Sequence, residues 1–350
     1  MKDKLIYIYP KNASFISNDL YFLKKKYKII TQDLDWGNFL KLPLNLVKQN
    51  IFLLFNVYKT KIILINFGGY FSLFPVLLGK IFNIKTFIIL NGTDSVSFPN
   101  YNYGSLRKPI LKFFIKKSYQ YCTKLLPVDE SLIFQLHNFD NNVVYKKQGV
   151  KAFFPNLTTS FQVIPNGFDT LFWQFSETVN RKGFLSVAVV NTMNTFRLKG
   201  LDLILTVAVY FPEEIFTIVG VSKKIIDKIT IPKNVRIITY LKKEALKIEY
   251  QKHTYYIQVS LNEGFGCSLS EAMLCGCIPI ISSVGALPNI TDNIGFNIKK
   301  RSTKELFSVI KQAIHLSKND KIILSKKAHR RIYNNYNISI REKLILQVLK

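Results

Sequence analysis

Apolar residues along this chain fall into short unbroken runs, and the runs alternate with helix-length segments of mixed character. In the first half, residues 5–9, 28–31, 62–66, 86–90 and 125–128 have the length and β-branched content of strands. Between them, residues 15–26, 71–82 and 105–121 read as helices. Strands alternating with helices in this way predict a doubly wound parallel sheet. A turn-rich stretch at 163–169, reading VIPNGFD, ends this half. The pattern then restarts, with strands expected at 185–190, 216–220, 235–239, 254–259 and 278–282 and helices including 201–210 and 242–251. From Thr303 onward the spacing is helical only. The prediction is an α/β chain of two doubly wound parallel-sheet domains, 1–165 and 166–335, facing a cleft. A C-terminal helix at 336–350 is expected to pack back on the N-terminal domain. Strand ends meeting at such a cleft are a natural ligand site.

Composition narrows this picture. A chain of 350 residues is long enough for two such domains, each with its own core, and 48% hydrophobic with 20% charged residues is globular. The cysteines (Cys122, Cys267, Cys275, Cys277) show no C-x-x-C pairing, which points to reduced thiols and a cytoplasmic setting. After Lys4 the apolar run ends at Pro10, too short for the core of a secretion signal. Residues 62–79 carry no charge and have the length of a membrane span, but Asn66, Gly68, Gly69 and Pro75 divide them into strand, turn and helix.

The formal net charge of +27 has three competing explanations. One is compositional bias. A nucleic-acid partner would want a basic face with aromatic or arginine readout, whereas these lysines are scattered, so no nucleic acid is expected. An anionic membrane surface needs only diffuse attraction plus a basic amphipathic element. Segment 105–121 offers one: Lys108, Lys112 and Lys116 form a stripe at i, i+4 spacing, with Ile110, Leu111, Phe113, Phe114 and Ile115 over much of the rest. A core-packed helix with a solvated lysine face has the same pattern. The expected location is cytoplasmic, peripheral on the inner face of the cell membrane.

The chemistry concentrates in residues 260–281, SLNEGFGCSLSEAMLCGCIPII. An apolar strand precedes it, and Ile278 opens another. Ser268-Leu269-Ser270-Glu271 has the form of a capping box, so a helix is expected to begin there and end near Gly276. In a parallel sheet this strand–loop–helix–strand unit aims a helix amino terminus outward from the carboxyl edge, a spot suited to phosphate. Two carboxylates lie there, Glu263 on the loop and Glu271 on the first helical turn. An ordinary crossover, with Glu271 only capping and Glu263 solvated, would share this spacing.

The whole string, however, resembles the E-x7-E segment of group 1 glycosyltransferases, the retaining nucleotide-sugar transferases of family 4. Glu263, Gly264, Phe265, Gly266, Glu271, Ala272, Met273, Gly276 and Pro279 match it in register. The resemblance extends to VIPNGFDTLFW at 163–173, like the family's interdomain turn with Asn166 in it, and to 191–205, where Lys199, Gly200 and Asp202 fit a K-G-x-D segment. The family's arginine is missing from its usual place, which holds Asn194; Arg197 is the nearby substitute.

The resemblance implies a GT-B fold of two Rossmann-like domains, the N-terminal one on the acceptor side and the C-terminal one binding the nucleotide sugar. It implies that Lys199 and Arg197 hold the departing diphosphate, with the amides around Phe265, Gly266 and Cys267 and with Ser268 and Gly264 nearby. Glu263 would contact donor-sugar hydroxyls and Glu271 the ribose. It also implies no metal and no cofactor beyond the nucleotide-sugar co-substrate, and a glycan or lipid-linked acceptor in surface polysaccharide or lipopolysaccharide synthesis. Glu263 is not expected to be a covalent nucleophile.

The first half departs from the family. Where many members carry a glycine-rich loop, residues 10–20 read PKNASFISNDL, with Phe15 and Asp19 expected to begin the helix. Where many place a histidine after the fourth strand, the chain reads Asn91-Gly92-Thr93-Asp94. Asn91, Gly92 and Asp94 are the candidate acceptor-side residues; Asn91 can only hydrogen-bond, since an amide cannot shuttle protons. A capping turn at Thr93 or Asp94 is the plainer alternative. Asp33-Leu34-Asp35 is a D-x-D triplet with no further ligand in sight, and His137, His253, His315 and His329 are dispersed. An epimerase or phosphorylase on a similar scaffold, or a non-catalytic subunit of a membrane glycosylation complex, are the rival expectations.

Overall fold

Each apolar run forms a strand close to its expected ends in a computed structural model, which describes residues 2–176 and 180–350. The chain divides into two units: residues up to Leu136 with Val144–Gly167 and Ile338–Lys350, and His137–Val143 with Phe168–Asn337.

In the first unit, β1 (Lys4–Ile8), β2 (Lys28–Ile30), β3 (Thr60–Asn66), β4 (Lys85–Leu90) and β5 (Lys124–Pro127) form a parallel sheet in the order β2-β1-β3-β4-β5. The connecting helices are α1 (Ser14–Lys26), α2 (Leu42–Asn56), α3 (Leu73–Ile81) and α4 (Pro109–Tyr121). Right-handed crossovers put α1 on one face of this sheet and α2, α3 and α4 side by side on the other. A two-stranded antiparallel pair, β6 (Gln135–Leu136) and β7 (Lys147–Gln148), and the short α5 (Val150–Phe153) follow.

The second unit repeats the plan with β8 (Phe184–Val190), β9 (Phe216–Val221), β10 (Val235–Ile238), β11 (Tyr255–Gln258), β12 (Ile278–Ser282) and β13 (Phe296–Ile298), ordered β10-β9-β8-β11-β12-β13 and all parallel. Its helices are α6 (Met193–Leu198), α7 (Leu201–Ala208), α8 (Lys223–Ile226), α9 (Lys243–Lys252), α10 (Cys267–Leu274), α11 (Leu287–Thr291), α12 (Thr303–Ile314) and α13 (Lys318–Asn335). The last helix, α14 (Ile338–Val348), belongs to the first unit, where it packs on α1.

Three expectations need correction. Residues 105–121 are not one helix: a short 3-10 turn at Ser105–Arg107 precedes α4, because Pro109 fixes the first helical position and has no amide to continue an earlier turn. Phe15 lies in the first turn of α1, which starts at Ser14, but Asp19 does not begin it: Asp19 lies inside the helix, fully buried, against Arg341 of α14. Helix α2 and strand β13 have no counterpart in the expected pattern.

Candidate active site

The order of the second sheet reverses between β8 and β11, and ligands of open α/β sheets bind beyond the strand ends at such a switch point. The loop after β8 leads into α6 and α7, with Lys199 at the corner between them. The loop after β11 carries Glu263 and leads into α10. The two predicted residues meet there: Lys199 Nζ lies 2.6 Å from Glu263 Oε1. Ser260 Oγ donates to the same oxygen at 2.7 Å. Glu263 is almost enclosed, its side chain 11% exposed, against 27% for Lys199, so the pair is neither a solvated surface bridge nor sealed from ligands.

The backbone explains the precision of this meeting. The amide of Leu261 donates to the carbonyl of Leu198 at 2.7 Å, joining the two loops one residue from Lys199. Gly200 has φ +68°, and a Cβ there would come within 2.2 Å of the Val259 carbonyl oxygen. Glycine is the residue that meets both demands at low strain. On the far side, both carboxylate oxygens of Asp202 of α7 accept from Arg301 Nη2, at 2.9 and 2.6 Å, and the same group donates to the Arg197 carbonyl at 3.2 Å. The backbone amide of Arg301 donates to Phe139 at 2.8 Å. Sequence reasoning matched Asp202 but missed Arg301, whose distance along the chain leaves no local signal.

Helix α10 departs from the expected cap. Gly266, at φ +105°, is the N-cap, and no side chain caps the helix. Cys267 is therefore the first helical residue, Ser268 the second, and Glu271 lies two residues further in than expected. The Ser268 side chain lies beside the phenols of Tyr250 and Tyr256, which donate to Glu271 and to the Val187 carbonyl. A glycine N-cap at positive φ lets the helix start earlier. Gly264 is buried, as is Phe265, which stacks on Phe168 with centroids 6.0 Å apart and meets Tyr336 edge-on at 5.6 Å.

Glu271 is only partly exposed and lies 3.4 Å from the donating hydroxyl of Tyr250. Burial pushes its carboxyl up to about 7, against the opposing pull of Lys243 and the Tyr250 hydrogen bond. Lys243 itself sits over the rings of Phe172 and Trp173, at 4.0 and 5.4 Å. Arg197 is exposed on the last turn of α6, and Asn194 is exposed too.

The remaining candidates belong to the first unit. Asp94 is fully buried and acts as a knot: it accepts from the amides of Gly68 (2.9 Å), Gly92 (3.1 Å) and Asn91 (3.3 Å) and from the Tyr119 hydroxyl (2.9 Å). Burial raises its carboxyl while these bonds oppose the shift. Asp94 therefore shapes the loop after β4 and is not presented to a ligand. Asn91 is the more exposed member, and its amide donates to Asn66 Oδ1 at 2.8 Å. Asn166 is buried beside Pro165, whose carbonyl accepts from Arg341 Nη1 at 2.9 Å. Asp33 and Asp35 are exposed, with Asp35 Oδ2 at 3.7 Å from Lys41 Nζ.

Residues 174–337, most of the second unit, match the family model described as glycosyl transferases group 1. Among curated proteins, none matches the chain by sequence. Among solved structures, sucrose-phosphate synthase from Thermosynechococcus elongatus is similar with TM-score 0.72 at 12% identity, covering 99% of this chain and 98% of that one. HepE from Anabaena, in complex with UDP and glucose, gives TM-score 0.71 at 13% identity over 100% of this chain and 99% of that one. The catalytic domain of starch synthase IV from Arabidopsis thaliana, bound to ADP and acarbose, gives 0.70 at 12% identity over 100% and 99%. At these identities the structural likeness establishes the fold, two parallel-sheet α/β domains of the GT-B type.

Proposed function

We propose that the chain, whose residues 174–337 match the group 1 glycosyl transferase model, is a glycosyltransferase of that family and moves a sugar from a nucleotide-diphosphate sugar to a glycan or lipid-linked acceptor with retention of anomeric configuration. The observation that carries the reading is the contact of Lys199 with Glu263 at the switch point of the second sheet. Cleaving the bond between the sugar's anomeric carbon and the diphosphate leaves negative charge on a phosphate oxygen. Lys199, with Arg197 two residues before it and the first-turn amides of α10, would take that charge. Gly264 and Gly266 let the backbone approach, and Cys267 and Ser268 supply first-turn positions. No metal is required in this arrangement.

A diphosphate drawn to Lys199 exchanges one anionic partner for another. Glu263 then keeps the Ser260 hydrogen bond and gains room to accept from hydroxyls of the donor sugar. A carboxylate engaged in this way orients the sugar and is poorly placed to attack it, so the double displacement of a glycosidase is not invoked. The acceptor hydroxyl attacks on the face the diphosphate leaves, and its proton passes to the departing phosphate oxygen. Glu271 would accept from the ribose hydroxyls. HepE, similar in fold, was solved with UDP and glucose, which supports a donor of this class. The reading extends to surface polysaccharide or lipopolysaccharide synthesis through the acceptor class, with Asn91 and Gly92 on the acceptor side.

Thermal unfolding with a panel of UDP-, GDP- and ADP-sugars tests the proposal. The true donor at about a hundred times its Kd adds ~2.7 kcal/mol of stability. Lys199→Ala should weaken that shift and slow transfer by about a hundredfold or more, the usual loss for one charge-stabilising donor. Glu263→Gln should keep the shift and lose transfer. No shift with any donor, or unchanged transfer in both variants, overturns the reading.

A further inference from the structure

Helix α2 is packed the wrong way round for a helix on a water-facing surface. Its buried positions are Asn45 (5% exposed), Gln49 (3%) and Leu53 (0%), spaced i, i+4, i+8 along one face. The two polar ones are tied down by hydrogen bonds to backbone: Asn45 Nδ2 donates to the Asp35 carbonyl at 2.8 Å and Gln49 Nε2 to that of Phe71 at 3.1 Å. The opposite face holds Leu44, Val47, Ile51, Leu54 and Phe55, which are 50–82% exposed. Their spacing of i, i+3, i+7, i+10 and i+11 gathers them into an arc of roughly 100°. Leu40 and Tyr58 prolong this ridge beyond the helix ends, both exposed, and Lys41 and Lys59 stand beside them.

The charge around the ridge is of one sign. Helices α2, α3 and α4 share one face of the first sheet, and between them they carry Lys48, Lys80, Lys112, Lys116 and Lys117 and no acidic residue. From Trp36 to Val128 the chain has twelve lysines and arginines and a single acid, Asp94, which is buried. The whole chain, with 49 basic and 22 acidic residues, is far less one-sided. On α4 the exposed apolar positions are Ile110 and Phe113, with Lys117 Nζ 6.0 Å from the Phe113 ring. Lys112 is turned onto the rings of Phe153 and Phe154, at 5.1 and 5.9 Å, so the lysine stripe expected from sequence is only partly offered to solvent.

We propose that this helical layer, with the α2 ridge at its centre, docks on an anionic lipid bilayer. The ridge would enter the headgroup boundary and the surrounding lysines would lie against lipid phosphates. An apolar helix face needs about this geometry to lie in an interface, and diffuse lysines suit the spread-out charge of an anionic leaflet. No helix among the described residues is long and apolar enough to cross a membrane, so the mode is docking on the surface. The inference is independent of the transfer chemistry, since it uses no residue of the second unit.

Vesicle flotation of the full chain tests it, with phosphatidylcholine vesicles and vesicles of equal phosphatidylcholine and phosphatidylglycerol. The protein should float with the mixed vesicles at least about tenfold more strongly than with the neutral ones, and added salt should weaken this. The double variant Ile51→Glu, Phe55→Glu removes two apolar anchors and should lower binding by about tenfold or more. Both positions are exposed, so its thermal unfolding and its donor-induced thermal shift should match the unaltered chain. Leu171→Glu, at an exposed apolar site in the second unit, should bind vesicles as the unaltered chain does. Equal binding to both vesicle types, or binding unaffected by the double variant, overturns the proposal. So does light scattering that shows a dimer which the double variant splits, because a second copy would then cover the ridge. If docking fails while the donor shift persists, only the membrane inference falls.

Discussion

At Glu271 two effects oppose each other. Burial disfavours its charge, while Lys243 and the Tyr250 hydroxyl favour it, and the balance leaves the carboxyl near 7. In the unfolded chain the same group titrates near 4.5, so the folded protein holds this proton to higher pH. Its contribution to stability is therefore present below pH 4.5 and is lost as pH rises through about 7. Binding should run the other way. A ribose diol donates hydrogen bonds, which an ionised carboxylate accepts at both oxygens and a protonated acid accepts less well. Affinity for a nucleotide sugar, whose phosphates do not titrate near neutrality, should rise between about pH 6 and about pH 8. Glu271→Gln should flatten that rise, and calorimetry across the range reads the difference. An equal rise in both proteins would place the titrating group elsewhere.

The elements of the site are short pieces held by backbone contacts, which is why glycines matter there more than propensity. Gly285 has φ +53°, and a Cβ on it would stand 1.9 Å from the Glu263 carbonyl oxygen. The loop carrying Glu263 would have to move. Gly285→Ala should therefore cost on the order of 1–3 kcal/mol of stability and lower transfer as Glu263 leaves Lys199. Gly37→Ala is the control: its added Cβ meets only the Asp35 side chain, at 3.4 Å. Urea unfolding and a transfer assay on both variants separate the effects. Much of this region was legible in the sequence. Apolar runs mark every strand of the two sheets except β13; Glu263 stood out on the loop after one such strand, and Lys199 through the resemblance of its segment to a K-G-x-D motif. The start of α10 was not legible, because Ser268 through Glu271 fits a cap while Gly266 takes that place. Helix α2 was hidden for a different reason: a pattern search expects polar residues outside, and here Asn45 and Gln49 face in. Arg301 left no mark either, because its partners Asp202 and Arg197 are distant in sequence.

At the scale of the whole chain, the return of α14 to the first unit rests on one buried ion pair that no local pattern announces. Arg341 Nε and Nη2 donate to the two oxygens of Asp19, at 2.6 and 2.7 Å, across 322 positions of sequence. Both residues are essentially fully buried. Arg341 Nη1 also donates to the carbonyls of Ile164 and Pro165, at 3.1 and 2.9 Å, where the first unit's main segment ends. On the other side, Asp19 Oδ2 accepts from the Tyr7 hydroxyl at 3.3 Å, and Tyr7 accepts from Asn66, which accepts from Asn91. The pair thus anchors a polar chain running through the first sheet to the loop after β4. Charges taken out of water are expensive unless matched, and here each oxygen and the guanidinium are matched. Arg341→Ala would strand the Asp19 carboxylate and two carbonyls and should cost about 3–5 kcal/mol. Replacing both partners together, Asp19→Leu with Arg341→Met, removes the charges instead of orphaning one and should cost less than the single change. Because α14 belongs to the first unit, the loss should fall there: urea unfolding of Arg341→Ala should show the first unit melting earlier while nucleotide-sugar binding by the second unit persists. Simultaneous loss of both would mean that the two units do not unfold independently.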